Sequence, residues 1–113
     1  DPEQKDLEFP YAVPGAISLE TAFSSFMTYL DNALNIEHWI QTVAINPRMI
    51  FGLPEIQFKE GNTADFTLFH LNKSWVYHQE NIQSLSKNTP YVSAHFNAKV
   101  CGTISKASVI LQS

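Results

Sequence analysis

The apolar residues of this 113-residue chain change their period near Pro54, and that change limits the fold more than any other feature. Before it, Leu19, Ala22, Phe23, Phe26, Met27 and Leu30 recur at helical spacing and give one wide apolar face. Ser18 is placed as the N-cap of that helix, and Glu20 favours the positive end of its dipole. The helix is expected to end near Asp31-Asn32. A second helix is expected behind Asn35 as cap, with Ile36, Trp39, Ile40, Val43 and Ala44 on its apolar face. Asn46-Pro47 then reads as a fresh start, Asn as cap and Pro at the first helical position. That third helix is short, Arg48 to Phe51, with Gly52 as its stop and Pro54 beyond it.

After Pro54 the pattern is that of strands. Glu55–Lys59 reads as short and extended, and Glu60-Gly61-Asn62 as a turn. Asp65–Leu71, with Phe66, Leu68 and Phe69, reads as a buried strand. Trp75-Val76-Tyr77 is its expected partner across the Asn72-Lys73 turn. Residues 79–90 are polar and read as loop, while Lys99–Ile104 and Ser108–Leu111 read as a closing hairpin. Residues 1–17 are irregular, punctuated by Pro2, Pro10 and Pro14, with Pro14-Gly15 a strong turn signal. Four or five short strands hardly close a sandwich alone, so the β half is expected to need cover from elsewhere.

Composition narrows the chemistry. Hydrophobic residues make up 44% and charged residues 16%, which is globular rather than disordered usage. A formal net charge of −4 with no basic run argues against nucleic acid as partner. No apolar stretch approaches the length of a membrane span. The single cysteine, Cys101, excludes an internal disulfide framework and suits a reducing compartment. It sits in an apolar strand, where packing is the expected role. His38, His70, His78 and His95 form no His-x-His pair and no i, i+4 pair, so a metal site is the minor reading. His70 and His78 could approach each other across the expected hairpin. Gly15, Gly52, Gly61 and Gly102 are isolated and make no phosphate loop. One local feature invites a binding role: the Pro14-Gly15 turn leading straight into a helix start. The opening Asp1-Pro2-Glu3-Gln4-Lys5-Asp6 has no signal pattern and reads equally as a processed start or a cut from a longer chain.

Several segments carry a family resemblance. Tyr11-Ala12-Val13-Pro14-Gly15-Ala16-Ile17-Ser18-Leu19-Glu20-Thr21-Ala22-Phe23 resembles the dihydroorotase stretch after the last barrel strand, and the upstream Lys5-Asp6-Leu7-Glu8-Phe9 resembles the loop just after that family's active-site Asp and substrate-binding His. Asn46-Pro47-Arg48-Met49-Ile50-Phe51-Gly52-Leu53 and Glu60-Gly61-Asn62-Thr63-Ala64-Asp65-Phe66 resemble segments shared by amidohydrolases. Ser86-Lys87-Asn88-Thr89-Pro90-Tyr91 is similar to the Ser-Arg-Asn-Thr-Pro-Phe loop of dihydroorotases, and Val100-Cys101-Gly102-Thr103-Ile104 to their final strand. Three positions depart from the pattern: Ser18 where Gly is usual, His70 where Asp is usual, and Ser105-Lys106-Ala107 in place of a Gly-rich turn.

The resemblance implies an α+β chain: the C-terminal end of a metal-dependent (β/α)8 TIM-barrel hydrolase plus the C-terminal strands of its β-sandwich subdomain. Residues 1–54 would be the last βα loop and terminal helices. Residues 55–113 would be a β subdomain incomplete without strands from the N-terminus of the polypeptide. The activity implied is reversible hydrolysis of dihydroorotate to N-carbamoyl-aspartate, with zinc as cofactor. The metal ligands of that family lie upstream of the residues present here, so no catalytic or metal-ligating residue carries over and the fragment alone is expected to be inactive. What carries over is the substrate-contacting turn, Pro14 and Gly15, at the C-terminal face of the barrel. The resemblance further implies a cytoplasmic homo-oligomer, with aspartate carbamoyltransferase as a candidate partner. A non-catalytic dihydroorotase-like scaffold and a hydantoinase- or allantoinase-type hydrolase stand as alternatives.

Overall fold

The computed structural model describes residues 8, 10–11, 15–30, 33–105 and 108–111. The helical part comes first. A single 3-10 turn, Leu19–Thr21, runs into helix α1 (Ala22–Tyr29). Ser18 does not cap it through its side chain. Instead the Thr21 hydroxyl and the Thr21 N–H both donate to the Ser18 carbonyl, at 3.1 Å each. The expected end near Asp31-Asn32 falls outside the described residues.

Asn35 caps the next helix as expected. Its side chain accepts from the His38 N–H at 3.1 Å, and His38 Nδ1 accepts from the Asn35 N–H at 3.3 Å, closing a capping box. From there the chain does not break at Asn46-Pro47. Helix α2 (Ile36–Ile40) passes through a π-helical turn (Gln41–Ile45) into α3 (Asn46–Ile50). The π turn gives the physical reason. Pro47 has no N–H, and in a regular helix its ring would strike the carbonyl four residues back. Widening the preceding turn relieves both constraints. The Asn46 N–H accordingly donates five residues back, to Gln41 O. The Asn46 side chain, expected as a cap, instead accepts from Gln41 Nε2 at 2.6 Å. Gly52 ends the helix as expected. It has φ 62, its N–H reaches Met49 O at 3.3 Å, and Leu53 N–H reaches Arg48 O at 2.9 Å, a Schellman stop.

The strands form two small sheets. Strands β1 (Asp65–His70), β4 (Lys99–Ser105) and β5 (Ser108–Leu111) lie in the order β1-β4-β5, all antiparallel. Strands β2 (Trp75–Val76) and β3 (His95–Phe96) form the second sheet. The β4–β5 hairpin is as expected. Three other expectations fail. Glu55–Lys59 is not a strand. Trp75-Val76 pairs with β3 rather than with β1, so the Asn72-Lys73 hairpin does not form and His70 lies opposite Lys99. And β1 is largely exposed rather than buried.

That exposure has a geometric origin. Phe66 and Phe69 are three residues apart and so point to opposite faces of β1. Phe69 meets Phe23 of α1, ring centroids 4.9 Å apart, and Phe66 meets the exposed Phe58 at 4.7 Å. Neither face is closed off: Phe66 is half-buried against Phe58, and Phe69, although it touches α1, is still 37% exposed. A bulge opposite Leu68/Phe69 leaves Cys101 without a register partner. Its half-buried thiol lies 3.7 Å from Lys99 O. Gly102 is buried, and a Cβ there would stand 2.5 Å from Ile110 O, so glycine lets β5 come close.

The core consists of two clusters rich in aromatic rings. Phe23, Met27 and Ala98 are buried with Phe26, Ile36, Trp39 and Val100 against them. Tyr77, Ile82 and Phe96 are buried with Ile17, Trp75, Tyr91 and Ala94 around them. Phe96 has no exposed surface and touches the rings of Tyr29, Trp75, Tyr77 and Tyr91. Truncating such a residue costs about 3–5 kcal/mol, a large part of the stability of a domain this size. Phe96→Ala should therefore abolish a cooperative urea transition. Leu85→Ala, at a side chain 102% exposed, should move the midpoint by less than ~0.5 kcal/mol.

Candidate functional site

The turn at Gly15 and the loop 82–91 meet above this aromatic core. Gly15 has φ 121, a backbone region that side-chain-bearing residues rarely adopt, and a Cβ there would meet nothing within 4 Å. Its glycine requirement is thus conformational and not steric. Asn88 holds the turn on both sides of Ala16. Its Nδ2 donates to Gly15 O at 2.6 Å, and its carbonyl accepts from the Ile17 N–H at 2.9 Å.

Glu20 makes the second tie. Its carboxylate accepts from the Gln83 N–H at 3.0 Å, from the Ser84 N–H at 2.7 Å and from the Tyr77 hydroxyl at 3.3 Å. A carboxylate taking two backbone donors is a strong, charge-assisted arrangement. The loop has further internal bonds: Lys87 Nζ donates to Ile82 O at 2.7 Å, and Tyr91 N–H donates to Thr89 Oγ1 at 3.3 Å. Ile82 is buried in the core below.

Of the two site residues expected from the sequence, Gly15 lies at this junction and Pro14 lies outside the described residues. The residues that fix the turn, Asn88 and Glu20, were not expected in that role. Glu20 was assigned to the helix dipole, yet it reaches more than sixty residues along the chain. A signal was present. Glu20 and Asn88 sit in the two segments most like dihydroorotase, Leu19-Glu20-Thr21 and Asn88-Thr89-Pro90.

The remaining titratable side chains do not gather. His38 is engaged at its helix cap, and His70 and His78 are not brought together by a hairpin. Among the described residues no group of three His, Cys, Asp or Glu could hold a metal ion. Two open grooves exist elsewhere. One, about 440 Å³, is lined by Met27, Asn35, Ile36, Leu71, Asn72, Ser74 and Asn97, and the other, about 570 Å³, by Arg48 and residues 55–66. Neither reaches the Gly15–Asn88 junction. No described helix is long and apolar enough to cross a membrane.

The fold and its junction define a small α+β segment in which a glycine turn at a helix start is laced to a distant loop. No family model matches the chain. Its sequence relatives are dihydroorotases. The dihydroorotase of Syntrophus aciditrophicus is 31% identical over 109 residues, 96% of this chain and 26% of that protein. That of Caldicellulosiruptor saccharolyticus is 39% identical over 92 residues, 80% of this chain and 21% of the protein. That of Aquifex aeolicus is 34% identical over 101 residues, 88% of this chain and 24% of the protein. The chain spans about a quarter of the length of these curated relatives, which fits a fragment of a dihydroorotase and is consistent with a C-terminal one.

Burial, and then the charge and hydrogen bond of the Glu20 carboxylate, push the Tyr77 phenol above its ordinary value of 10.0. A proton held more tightly in the folded state gives stability that is intact below pH ~10 and lost as pH rises through the raised value. Unfolding followed from pH 8 to 11 should show the wild-type chain losing stability above pH ~10 more steeply than Tyr77→Phe, which has no phenol proton to lose there. Equal slopes would mean that Glu20 does not hold that hydroxyl.

Proposed function

We propose that the chain is the C-terminal part of a dihydroorotase, a zinc-dependent (β/α)8-barrel hydrolase that opens the dihydroorotate ring to N-carbamoyl-aspartate in the cytoplasm. In this reading residues 1–54 are the last βα loop and terminal helices of the barrel, and residues 55–113 are C-terminal strands of a β subdomain. Pro14-Gly15 is the turn that contacts the substrate. The observation that carries the reading is the meeting of Gly15–Thr21 with Asn88, since these two segments resemble dihydroorotase most specifically. In this reading the zinc ligands lie upstream in the polypeptide, and among the described residues no group of three His, Cys, Asp or Glu could hold the ion.

The test is turnover by the intact protein that contains this sequence. With zinc it should hydrolyse dihydroorotate and cyclise N-carbamoyl-aspartate, followed by ultraviolet absorbance, and chelation should abolish both. Turnover of hydantoin but not dihydroorotate would move the assignment to a hydantoinase-type enzyme. No turnover of either would favour a non-catalytic scaffold, the reading that the departures at Ser18 and His70 favour.

The apolar surface supports a role inside a larger assembly. Met49, Ile50, Phe51 and Phe58 are each more than two-thirds exposed, and Val109, Ile110 and Leu111 line the open edge strand. Contiguous exposed apolar side chains and an unpaired edge are what a missing partner layer leaves behind. In this reading strands from elsewhere in the polypeptide cover them. The 113-residue chain alone should then self-associate, with light scattering giving a mass that grows with concentration. A monodisperse monomer at high concentration would count against the missing layer.

A further inference from the structure

We propose that Asn88 is the positioning residue of the Gly15 turn, and that Glu20 acts with it by fixing the loop that carries Asn88. The proposal rests on the substrate-facing reading of that turn given above. Three observations carry it. The first is that the turn holds Gly15 at φ 121 although a Cβ there would meet nothing within 4 Å, so the glycine answers to backbone conformation rather than to lack of room. The second is that Asn88 grips the turn from both sides of Ala16, through a side-chain donor to Gly15 O at 2.6 Å and a backbone acceptor for Ile17 N–H at 2.9 Å. The third is that the loop has no regular structure of its own between Ile82 and Thr89. Its shape is imposed by the buried Ile82 at one end and by Glu20 accepting from Gln83 and Ser84.

Asn88 is itself exposed, so its side chain adds little to the core. Its removal should displace the turn without unfolding the chain. The two effects are therefore separable. A turn that contacts substrate in the ground state and the transition state alike changes KM more than kcat when it is misplaced. The loss of one hydrogen bond of this kind sets the scale at about tenfold.

The experiment uses the intact protein with three variants. Asn88→Ala removes the amide. Asn88→Asp keeps its shape but replaces the Nδ2 donor with a carboxylate oxygen facing Gly15 O. Glu20→Gln weakens the hold on the loop. With dihydroorotate as the probe, Asn88→Ala and Asn88→Asp should raise KM about tenfold while kcat stays within about threefold, and Glu20→Gln should do the same to a smaller degree. Hydrogen exchange at the Ile17 amide should quicken about tenfold in Asn88→Ala, with the thermal midpoint little changed. Unchanged KM together with unchanged Ile17 exchange would overturn the proposal. A wild-type protein that does not turn over dihydroorotate would sink the functional reading instead. In that case Ile17 exchange decides alone: faster exchange in Asn88→Ala upholds the positioning role, and unchanged exchange overturns it.

Discussion

Phe96 is the side chain on which both halves of the structure close. It belongs to a strand only two residues long, and such a strand has little pairing of its own to hold it. What fixes it is the ring of aromatic neighbours, with Tyr29 from α1, Trp75 and Tyr77 from the β2 side and Tyr91 from the loop end. Trp75 can be buried there because its indole N–H donates to Ala98 O at 2.9 Å. The end of α1 is joined to the same strand by a polar contact: Thr28 Oγ1 donates to Ser24 O and accepts from Asn97 N–H. Helix, short sheet and loop thus share one seam. None of the three buries enough apolar surface to be stable separately.

The polar junction depends on that seam. Tyr77 contributes its ring to the core and its hydroxyl to Glu20, and Ile82 contributes its side chain to the core and its carbonyl to Lys87. The loop that starts at Ile82 is therefore fixed from below by burial and from above by a carboxylate. The hydrogen bonds into Glu20 and from Asn88 give residues 82–91 a defined shape. The glycine turn then has a defined position although a Cβ at Gly15 would meet nothing within 4 Å.

The parts legible in the sequence were those set by local chemistry. The Asn35 cap, the Gly52 stop, the Gly61 turn and the β4–β5 hairpin all depend on residues a few positions apart. Pro47 misled because a proline after Asn is a sound start signal, and only the π turn reveals the other solution. The partner of β1 was misjudged for a different reason. Periodicity says that Trp75-Val76 is a strand but not which strand it meets, and the bonds to His95-Phe96 span about twenty residues. Glu20 was legible as an acid in a first turn and illegible as a long-range acceptor, because its donors are backbone groups, which no side-chain pattern marks.

The uneven quality of burial ties these observations together. Strand β1 carries Phe66 and Phe69 on opposite faces, yet only Phe66 is half-buried, against an exposed Phe58, and Phe69 stays exposed beside α1. The region from Met49 to Phe58 is similarly apolar and uncovered. A sequence under pressure only to stay soluble would not place four large apolar side chains at more than two-thirds exposure within ten residues. The junction at Gly15 shows the opposite character: its polar groups are matched donor to acceptor. The chain therefore satisfies its own groups along the aromatic seam and the Glu20–Asn88 ties. It is open where apolar groups still face water. That contrast is what a segment covering about a quarter of its relatives' length should display if its finished surface and its docking surface lie on different faces.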